Sequence, residues 1–245
     1  MLKGKIVLLG KEKLFIIDLD QKKFSCQYGF VDLTKIKRYG QKIICGSEEL
    51  VALKPTMIDL LGKCKRGPQI IMPKDAAQIV ATTGATDGWR CLDAGGGSGF
   101  LSIFLANIVS PNGRITTYEK EKRNYEIIRY NIRYCSLDKI IKLKNADALR
   151  FTEKNLDLVT LDMKDVVKMV PKVFKVLNPG GWLVVYSPHI EQQKDVSKKM
   201  RSSGFVQMKT IENIQREWKF GEGGFTHPKP SGIMHTGFLT FGRKV

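Results

Sequence analysis

The stretch Leu92-Asp93-Ala94-Gly95-Gly96-Gly97-Ser98-Gly99-Phe100-Leu101 decides the predicted fold. It follows a short apolar run at residues 89–93 and opens a helical run at residues 100–109. Glycines at alternate positions let a turn adopt positive φ and bring its backbone close to a ligand. A glycine turn between a strand and a helix therefore indicates a nucleotide-binding unit of an α/β fold.

Apolar strand-like runs alternate with helix-like runs on the C-terminal side of this turn. On residues 121–135, apolar side chains recur at helical spacing on one face, at Tyr125, Ile128 and Ile132. Such alternation predicts a parallel sheet with helices on both faces. The predicted strands are 89–93, 113–119, 140–143, 156–162, 182–186, 205–211 and 235–241, and the predicted helices are 100–109, 121–135, 165–177 and 190–203. Asn178-Pro179-Gly180-Gly181 is predicted as the turn that ends the third helix.

Residues 1–61 have a different pattern and are predicted to form a separate small domain. Short apolar runs such as 5–9 and 14–17 are interrupted by Gly and Asp. Several short strands at this spacing indicate a small β-barrel or a curled sheet. A basic β-domain of this size could bind RNA or serve in oligomerisation, and the sequence leaves both open. Residues 62–245 are assigned to the α/β domain.

Composition narrows the class of protein further. The chain has 245 residues, 42% of them hydrophobic, and a formal net charge of +17. This apolar fraction excludes a mostly disordered chain, and the positive charge favours a polyanionic partner such as nucleic acid. No run of about 18 uncharged apolar residues is present, so no membrane span is expected. Charges follow Met1 too soon for a signal peptide, so none is expected either. Five scattered cysteines without a CxxC pair predict no disulfide framework, no metal site and a cytoplasmic location.

Two acids follow the second and third predicted strands. Glu119 ends the second strand, where a carboxylate can accept hydrogen bonds from both ribose hydroxyls, and Asp147 can accept one from an adenine amino group. The carboxyl ends of neighbouring strands form the crevice where open α/β sheets bind ligands. Together with Asp93 and the glycine turn, these acids favour S-adenosylmethionine over NAD, since the methyl donor has no pyrophosphate and its cationic sulfonium tolerates carboxylates.

Three segments together resemble one enzyme family. They are Arg66-Gly67-Pro68-Gln69-Ile70-Ile71-Met72-Pro73-Lys74-Asp75, the glycine turn, and His235-Thr236-Gly237-Phe238-Leu239-Thr240-Phe241. The chain resembles the archaeal and bacterial tRNA (adenine-N1) methyltransferases that act on adenosine 58 of the T-loop. The resemblance implies a Rossmann-like class I methyltransferase with a seven-stranded sheet and a small N-terminal β-domain. It also implies a homotetramer that uses S-adenosylmethionine and acts on tRNA, with 57 open as a second target position.

The resemblance also implies roles for particular residues. Asp162, at the end of the fourth strand, is the expected catalytic carboxylate, placed to accept a hydrogen bond from the adenine amino group and orient N1. The expected cofactor-binding residues are Gln69, Ala94, Gly95, Gly97, Ser98, Gly99, Leu101, Glu119, Asp147, Ala148 and Asp162. The expected substrate-binding residues are Met72, Tyr186, His227 and Lys229, with Tyr186 as the candidate stacking partner of the target base.

The chain departs from the family pattern on the target side. It has Met72 where the family usually has Tyr or His, and His227-Pro228 where the family has Arg-Pro. Two alternatives therefore stay open. One is a non-catalytic tRNA-binding subunit, and the other is a class I methyltransferase acting on a different RNA or on a small molecule.

Overall fold

The chain divides into two compact units, Met1–Cys64 and Lys65–Val245. The computed structural model describes residues 2, 4–67, 70–221, 223–230 and 234–245. Within those ranges, no helix is long and apolar enough to cross a bilayer. The same residues contain no group of three or more His, Cys, Asp or Glu side chains that could hold a metal ion.

The N-terminal unit contains six strands and one helix. They are β1 (Lys5–Leu9), β2 (Leu14–Asp18), β3 (Lys23–Cys26), β4 (Gly29–Asp32), β5 (Lys42–Cys45), β6 (Glu48–Leu53) and α1 (Met57–Lys63). Four of the strands form an antiparallel sheet in the order β2-β1-β6-β5, and β3 and β4 form a separate hairpin. Ile6, Leu8 and Leu50 are fully buried in the core between them. The unit is therefore a sheet plus a hairpin, built on the short strands that the sequence predicts.

Two cysteines meet inside this unit. The Sγ atoms of Cys26 and Cys45 lie 3.6 Å apart. Burial raises the pKa of the Cys45 thiol to about 11, so this thiol is protonated and a weak nucleophile at neutral pH.

The C-terminal unit alternates strands and helices. Its elements are α2 (Pro73–Thr83), β7 (Arg90–Ala94), α3 (Phe100–Val109), β8 (Arg114–Glu119), α4 (Lys122–Tyr134), β9 (Ile141–Asn145), β10 (Leu156–Leu161), α5 (Val166–Val176), β11 (Leu177–Ser187), α6 (Ile190–Ser202), β12 (Val206–Glu212), β13 (Trp218–Phe220), β14 (Thr226–Pro228) and β15 (Phe238–Arg243). Seven strands form one sheet in the order β12-β15-β11-β10-β7-β8-β9. The strand order reverses beside β7, so the carboxyl ends of β7 and β10 border the crevice where such sheets bind ligands.

The predicted parallel sheet is confirmed except at its last strand, which runs antiparallel to its neighbours. The pairs β7–β8, β8–β9, β7–β10 and β10–β11 are parallel, whereas β15 runs antiparallel to both β11 and β12. A parallel return requires a crossover connection, usually a helix. The described chain between β12 and β15 instead forms the β13–β14 hairpin, and β15 starts at the same edge of the sheet at which β12 ends, with Glu212 opposite Phe238.

Further elements differ from the sequence prediction, among them α1, which was not predicted. The segment Asn178-Pro179-Gly180-Gly181 was expected to be a turn, but β11 begins at Leu177 and includes it, with a register shift against β10. The helix α2 was not predicted. It has Pro73 at its first turn and ends at Gly84 in the left-handed conformation, both of which are ordinary helix-boundary signals.

Candidate active site

The glycine turn lies at the carboxyl end of β7 and is held by its neighbours. The backbone N–H groups of Gly95 and Gly96 donate to the carbonyl of Tyr118 at 3.1 and 3.0 Å. Asp162 N–H donates to the carbonyl of Ala94, which is fully buried, at 2.9 Å. Gly95 has φ +88°, and a Cβ there would collide with the carbonyl of Asp162. Only glycine fits at this position, because the turn and the end of β10 touch through their backbones.

The buried carboxylate of Asp93 connects the elements that surround the glycine turn. It accepts hydrogen bonds from Ser102 Oγ and, at 2.7 Å, from Thr160 Oγ1. Ser102 Oγ in turn accepts from Thr117 Oγ1 at 2.8 Å. Burial raises the pKa of Asp93, and the two hydroxyl groups oppose that rise. Asp93 thus ties together β7, α3, β8 and β10, which makes it a structural acid beneath the site.

Glu119, the last residue of β8, bonds to the glycine turn through its side chain. Its carboxylate accepts from Gly97 N–H at 2.9 Å and from Glu121 N–H at 2.8 Å. The side chain is 7% exposed and lines the main cavity. Each carboxylate oxygen has about two acceptor sites, so both oxygens keep capacity for the two hydroxyls of a ribose.

The third acid, Asp147, lies beyond the end of β9. Its Oδ1 caps a short 3₁₀ turn by accepting from Leu149 N–H at 2.9 Å. Asp147 is exposed and Ala148 is buried, and both line the same cavity as Glu119. The structure therefore brings together the predicted acids that follow β8 and β9.

The main cavity of this unit has a volume of about 530 Å³. Among its lining residues are Gly95, Gly97, Glu119, Asp147, Asp162 and Tyr186. Asp162 follows β10, and its pKa is raised to about 7 by burial and by the negative charges of Asp93 and Glu119. A cationic ligand in this cavity would favour the ionised carboxylate, because an opposite charge nearby stabilises the charged form.

Three of the predicted cofactor residues lie next to this cavity. Leu101 is buried, and with Ser98 and Asp162 it lines a small adjoining cavity of about 20 Å³. Gly99 precedes α3 and donates its N–H to the carbonyl of Gly96 at 2.7 Å. Ser98 Oγ accepts from Gly67 N–H at 2.8 Å, so its hydroxyl holds the 65–67 segment. Gln69, also predicted to bind the cofactor, lies outside the described residues.

The predicted substrate residues are less closely grouped. Tyr186 is 4% exposed, lines the main cavity and donates its hydroxyl proton to the carbonyl of Thr236. Met72 is the N-cap residue of α2 and is 40% exposed. His227 is exposed on β14, and Lys229 forms an ion pair with Glu217 on the neighbouring chain segment. Of these four, Tyr186 is the one found among the described lining residues of the cavity.

Several residues of the site were not identified from the sequence. Asn131 is fully buried in α4, where its Oδ1 accepts from Lys65 N–H and its Nδ2 donates to the carbonyls of Lys65 and Ser98, at 2.8–2.9 Å. A polar residue next to Ile132 on the buried face of α4 was the available signal. Tyr118 was also missed. It lines the cavity and bonds through its hydroxyl to Glu153 and Lys144, each at 2.8 Å.

Comparison with known proteins places this site in a family. Residues 63–229 match the family model described as "tRNA methyltransferase complex GCD14 subunit". A relative from Methanocaldococcus jannaschii, named tRNA (adenine(57)-N(1)/adenine(58)-N(1))-methyltransferase TrmI, is 28% identical over 98% of this chain and 94% of its own. A tRNA (adenine(58)-N(1))-methyltransferase TrmI from Thermus thermophilus is 30% identical over 78% of this chain and 76% of its own.

Solved structures show the same fold over nearly the whole chain. An S-adenosylmethionine-dependent O-methyltransferase from Thermotoga maritima has a TM-score of 0.84 and 27% identity, covering 99% of this chain and 93% of its own. The tRNA (m1A58) methyltransferase TrmI from Aquifex aeolicus has a TM-score of 0.79 and 23% identity, covering 100% of this chain and 98% of its own. The predicted Rossmann-like methyltransferase fold is confirmed. With its family model matched over residues 63–229, this chain belongs to the GCD14 family of tRNA methyltransferases.

Proposed function

We propose that this protein methylates N1 of an adenosine in the T-loop of tRNA, at position 58, with S-adenosylmethionine as the donor. Position 57 is a second target to test, since the M. jannaschii relative is named for both. The observation that carries the proposal is that Glu119 and Asp162 line the same cavity, beside the glycine turn. The chain that contains this cavity matches tRNA adenine-N1 methyltransferases over most of its length.

The described residues fit S-adenosylmethionine. The cavity volume of about 530 Å³ lies within the range of small-molecule sites. Glu119 keeps acceptor capacity for the ribose. Asp147 and Ala148 line the same cavity and are proposed to contact the adenine end of the cofactor. Bound S-adenosylmethionine supplies an electrophilic methyl group on a cationic sulfur. Asp162 and Glu119 give the cavity the negative charge that a cation requires.

Asp162 is the proposed catalytic residue. N1 of neutral adenine has an in-plane lone pair, so no proton has to leave before the methyl group is accepted. A carboxylate at Asp162 accepts a hydrogen bond from the exocyclic amino group and so orients N1. It also stabilises the positive charge that develops on the base as the N1–methyl bond forms.

Tyr186 and Met72 are proposed to contact the target base. N1 lies on the Watson–Crick edge, so the adenosine must leave its stacked position to reach a cavity of this kind. The Tyr186 ring lies on the cavity wall, where it can pack against an extruded base. An exposed methionine at position 72 can pack on a base as well, although it lacks the hydrogen bond of Tyr or His.

The basic surface is proposed to bind the tRNA backbone. The net charge of +17 includes exposed cations along α6, at Lys194, Lys198 and Arg201, and Lys229 follows β14. His227 and Lys229 are proposed contacts of the tRNA. Phosphate contacts release counterions, so tRNA affinity should fall steeply as salt is raised. A salt-independent affinity would contradict this assignment.

A homotetramer in the cytoplasm is proposed as the working form. The β13–β14 hairpin exposes three aromatic side chains, Trp218, Phe220 and Phe225, with Phe220 and Phe225 each 82% exposed. Contiguous exposed apolar groups mark interaction surfaces, and a second copy of the chain is the occupant that the family resemblance favours. Light scattering during size-exclusion chromatography tests this. A monomeric mass would contradict it.

The decisive experiment is to incubate the purified protein with unmodified tRNA and labelled S-adenosylmethionine, and then map the methylated nucleotide. N1-methyladenosine at position 58 supports the proposal, and label elsewhere or none contradicts it. Calorimetric titration with the cofactor alone separates the non-catalytic alternative. A tRNA-binding subunit without catalysis would give no binding heat, whereas a methyltransferase binds the donor.

A further inference from the structure

The two segments that carry the family resemblance outside the glycine turn meet through a buried ion pair. Lys74 Nζ lies 2.9 Å from Asp75 Oδ1 and 2.7 Å from Thr236 Oγ1. Thr236 Oγ1 donates to Asp75 Oδ2 at 2.8 Å. Asp75 is fully buried, and the Lys74 side chain is 16% exposed. The start of α2 and the chain entering β15 are therefore joined by a closed triangle of polar side chains.

A fourth residue completes this cluster. The carbonyl of Asn213 accepts from Lys74 Nζ at 2.7 Å, and Asn213 Nδ2 donates to Asp75 Oδ1 at 3.2 Å. The ammonium group of Lys74 thus has three acceptor groups for its three protons. The segment after β12 is held in the same place as the segment before β15.

The cluster reaches the cavity through Tyr186. The carbonyl of Thr236 accepts the hydrogen bond from the Tyr186 hydroxyl. A Cβ at the next residue, Gly237, would lie 2.5 Å from Tyr186 Cζ, so glycine is required for the chain to pass this close to the ring. Thr236 and Gly237 contact Tyr186 and so hold its ring in place. Tyr186 and Asp162 line the same cavity.

Fold stability alone gives little reason to bury this ion pair. Apolar residues of similar volume often stabilise a fold as well as a buried pair does, because both charges must be desolvated. A buried, fully bonded pair does, however, define one geometry. Asp75 lies in the first turn of α2, where the helix dipole favours a negative charge, and Met72 is the N-cap of the same helix.

We propose that Lys74 and Asp75 are a positioning pair for the target base. Through Thr236 they hold Tyr186 on the cavity wall, and through the start of α2 they hold Met72. The inference rests on the proposed function, since the base they would position is the adenosine of tRNA. Neither residue is proposed to touch the reacting atoms.

Thr236→Val is the sharpest test, because it removes Oγ1 but keeps the ion pair, the side-chain volume and the backbone carbonyl. We expect kcat/KM for tRNA to fall about tenfold, since a small misplacement near a reacting base is costly. The dissociation constant for S-adenosylmethionine should change by less than about twofold, since the cofactor residues lie elsewhere. Thr236→Ser, which keeps the hydroxyl, should restore most of the activity.

Thr240→Val is the matched control. Thr240 is a fully buried threonine of β15 whose Oγ1 lies 2.7 Å from Thr210 Oγ1. This variant loses a threonine hydrogen bond in β15, a short distance along the chain from Thr236, without touching the cluster. It should keep kcat/KM for tRNA, and an equal loss in both variants would show a general effect of weakening the sheet and would overturn the proposal.

Hydrogen exchange measured by mass spectrometry tests, independently of activity, whether the cluster stabilises the segments around Tyr186 and Thr236. Thr236→Val should raise exchange in peptides covering 185–188 and 234–239 but not in the glycine turn. An active wild-type protein with an unaffected Thr236→Val variant would overturn the positioning pair and leave the proposed function standing. A wild-type protein that binds the cofactor but does not methylate tRNA would overturn the proposed function, and with it the role of the pair towards adenosine. In that case, raised exchange in Thr236→Val would still support the claim that the cluster holds Tyr186 in place. Unchanged exchange in this variant would overturn that claim as well.

Discussion

Two parts of the cavity lining are built in different ways. One is the cofactor wall, which contains the glycine turn, Glu119 and Asp147, and the other is the wall that contains Tyr186. The cofactor wall comes from successive strand ends of the sheet, and its typical contact, Gly97 to Glu119, spans 22 residues of sequence. The wall that contains Tyr186 depends on contacts such as Lys74 to Thr236, which spans 162 residues. The first wall is complete once adjacent βα units have packed. The second requires β15 to be in place between β11 and β12, so it depends on the whole unit.

The largest expected effect lies where the two walls meet, at Asp162. Asp162→Ala should lower the rate of methyl transfer about 10²–10³-fold, since it removes the group that orients the base and offsets its developing charge. Cofactor affinity should fall much less, because Glu119 and the turn remain. Single-turnover methylation and calorimetry measure the two quantities separately. Equal turnover in wild type and variant would remove Asp162 from the mechanism.

The pH dependence of stability also reports on Asp162. Its pKa is raised to about 7 in the folded chain, above the ordinary value of about 4 in the unfolded chain. Between these values the folded chain binds the extra proton, so the free energy of unfolding without cofactor should fall as pH rises. The expected loss from this group is about 2–4 kcal/mol. Urea unfolding near pH 5 and pH 8 measures it.

Asp162→Asn is the control for that measurement, since an amide does not titrate. The variant should lose this part of the slope and be the more stable protein near pH 8. A wild-type slope unchanged in Asp162→Asn would show that another group is responsible.

Asn131 tests how firmly the cofactor wall is anchored to the rest of the unit. Asn131→Ala removes three hydrogen bonds and leaves backbone groups of Lys65 and of the buried Ser98 without this partner. We expect a loss of about 2–3 kcal/mol in the free energy of unfolding, together with weaker cofactor binding. Chemical denaturation and calorimetry check both. Asn107→Ala, which loses a single bond to the carbonyl of Ile103 on α3, should cost less than half as much.

The smallest expected effect concerns Glu119. Glu119→Gln keeps the size of the side chain but removes its negative charge. The carboxylate accepts hydrogen bonds from the Gly97 and Glu121 N–H groups and would also accept them from the ribose. The dissociation constant for S-adenosylmethionine should rise about tenfold, as expected for a lost charge-assisted hydrogen bond. Activity at saturating cofactor should be nearly normal. Glu126→Gln, at a partly exposed residue of α4 that pairs with Lys122 and Arg129, should leave the constant unchanged.

The same contrast explains what the sequence could predict. The helix at 100–109 was predicted with the bounds that α3 has, and the other predicted elements of the alternating region lie within a few residues of their expected bounds, except β11, which begins earlier, at Leu177. Those elements have apolar periodicity and nearby Gly or Pro signals. Glu119 and Asp147 were predicted to meet because strand ends share one edge of a sheet, and Asp162 was expected there from the family resemblance. All three line one cavity.

Features that depend on long-range contacts were not predictable in this way. The antiparallel direction of β15 follows from the path of the chain through the β13–β14 hairpin, which has no periodic signal of its own. The partners of Lys74 and Asp75 lie more than 130 residues away, so no local pattern indicates that the two charges are buried together. Asn131 is a similar case, since its three bonds go to backbone groups outside its helix.

The backbone contact between Gly95 and Asp162 limits how this enzyme can diverge. Because the glycine turn and Asp162, the proposed catalytic acid, touch without an intervening side chain, a mutation that moves one displaces the other, and neither can be adapted alone. A change of target nucleotide therefore has to arise on the opposite wall. Met72 and His227, which lie outside the described lining of the cavity, already differ from the residues that the family resemblance leads us to expect. These two positions are the place to look when related chains prefer different adenosines.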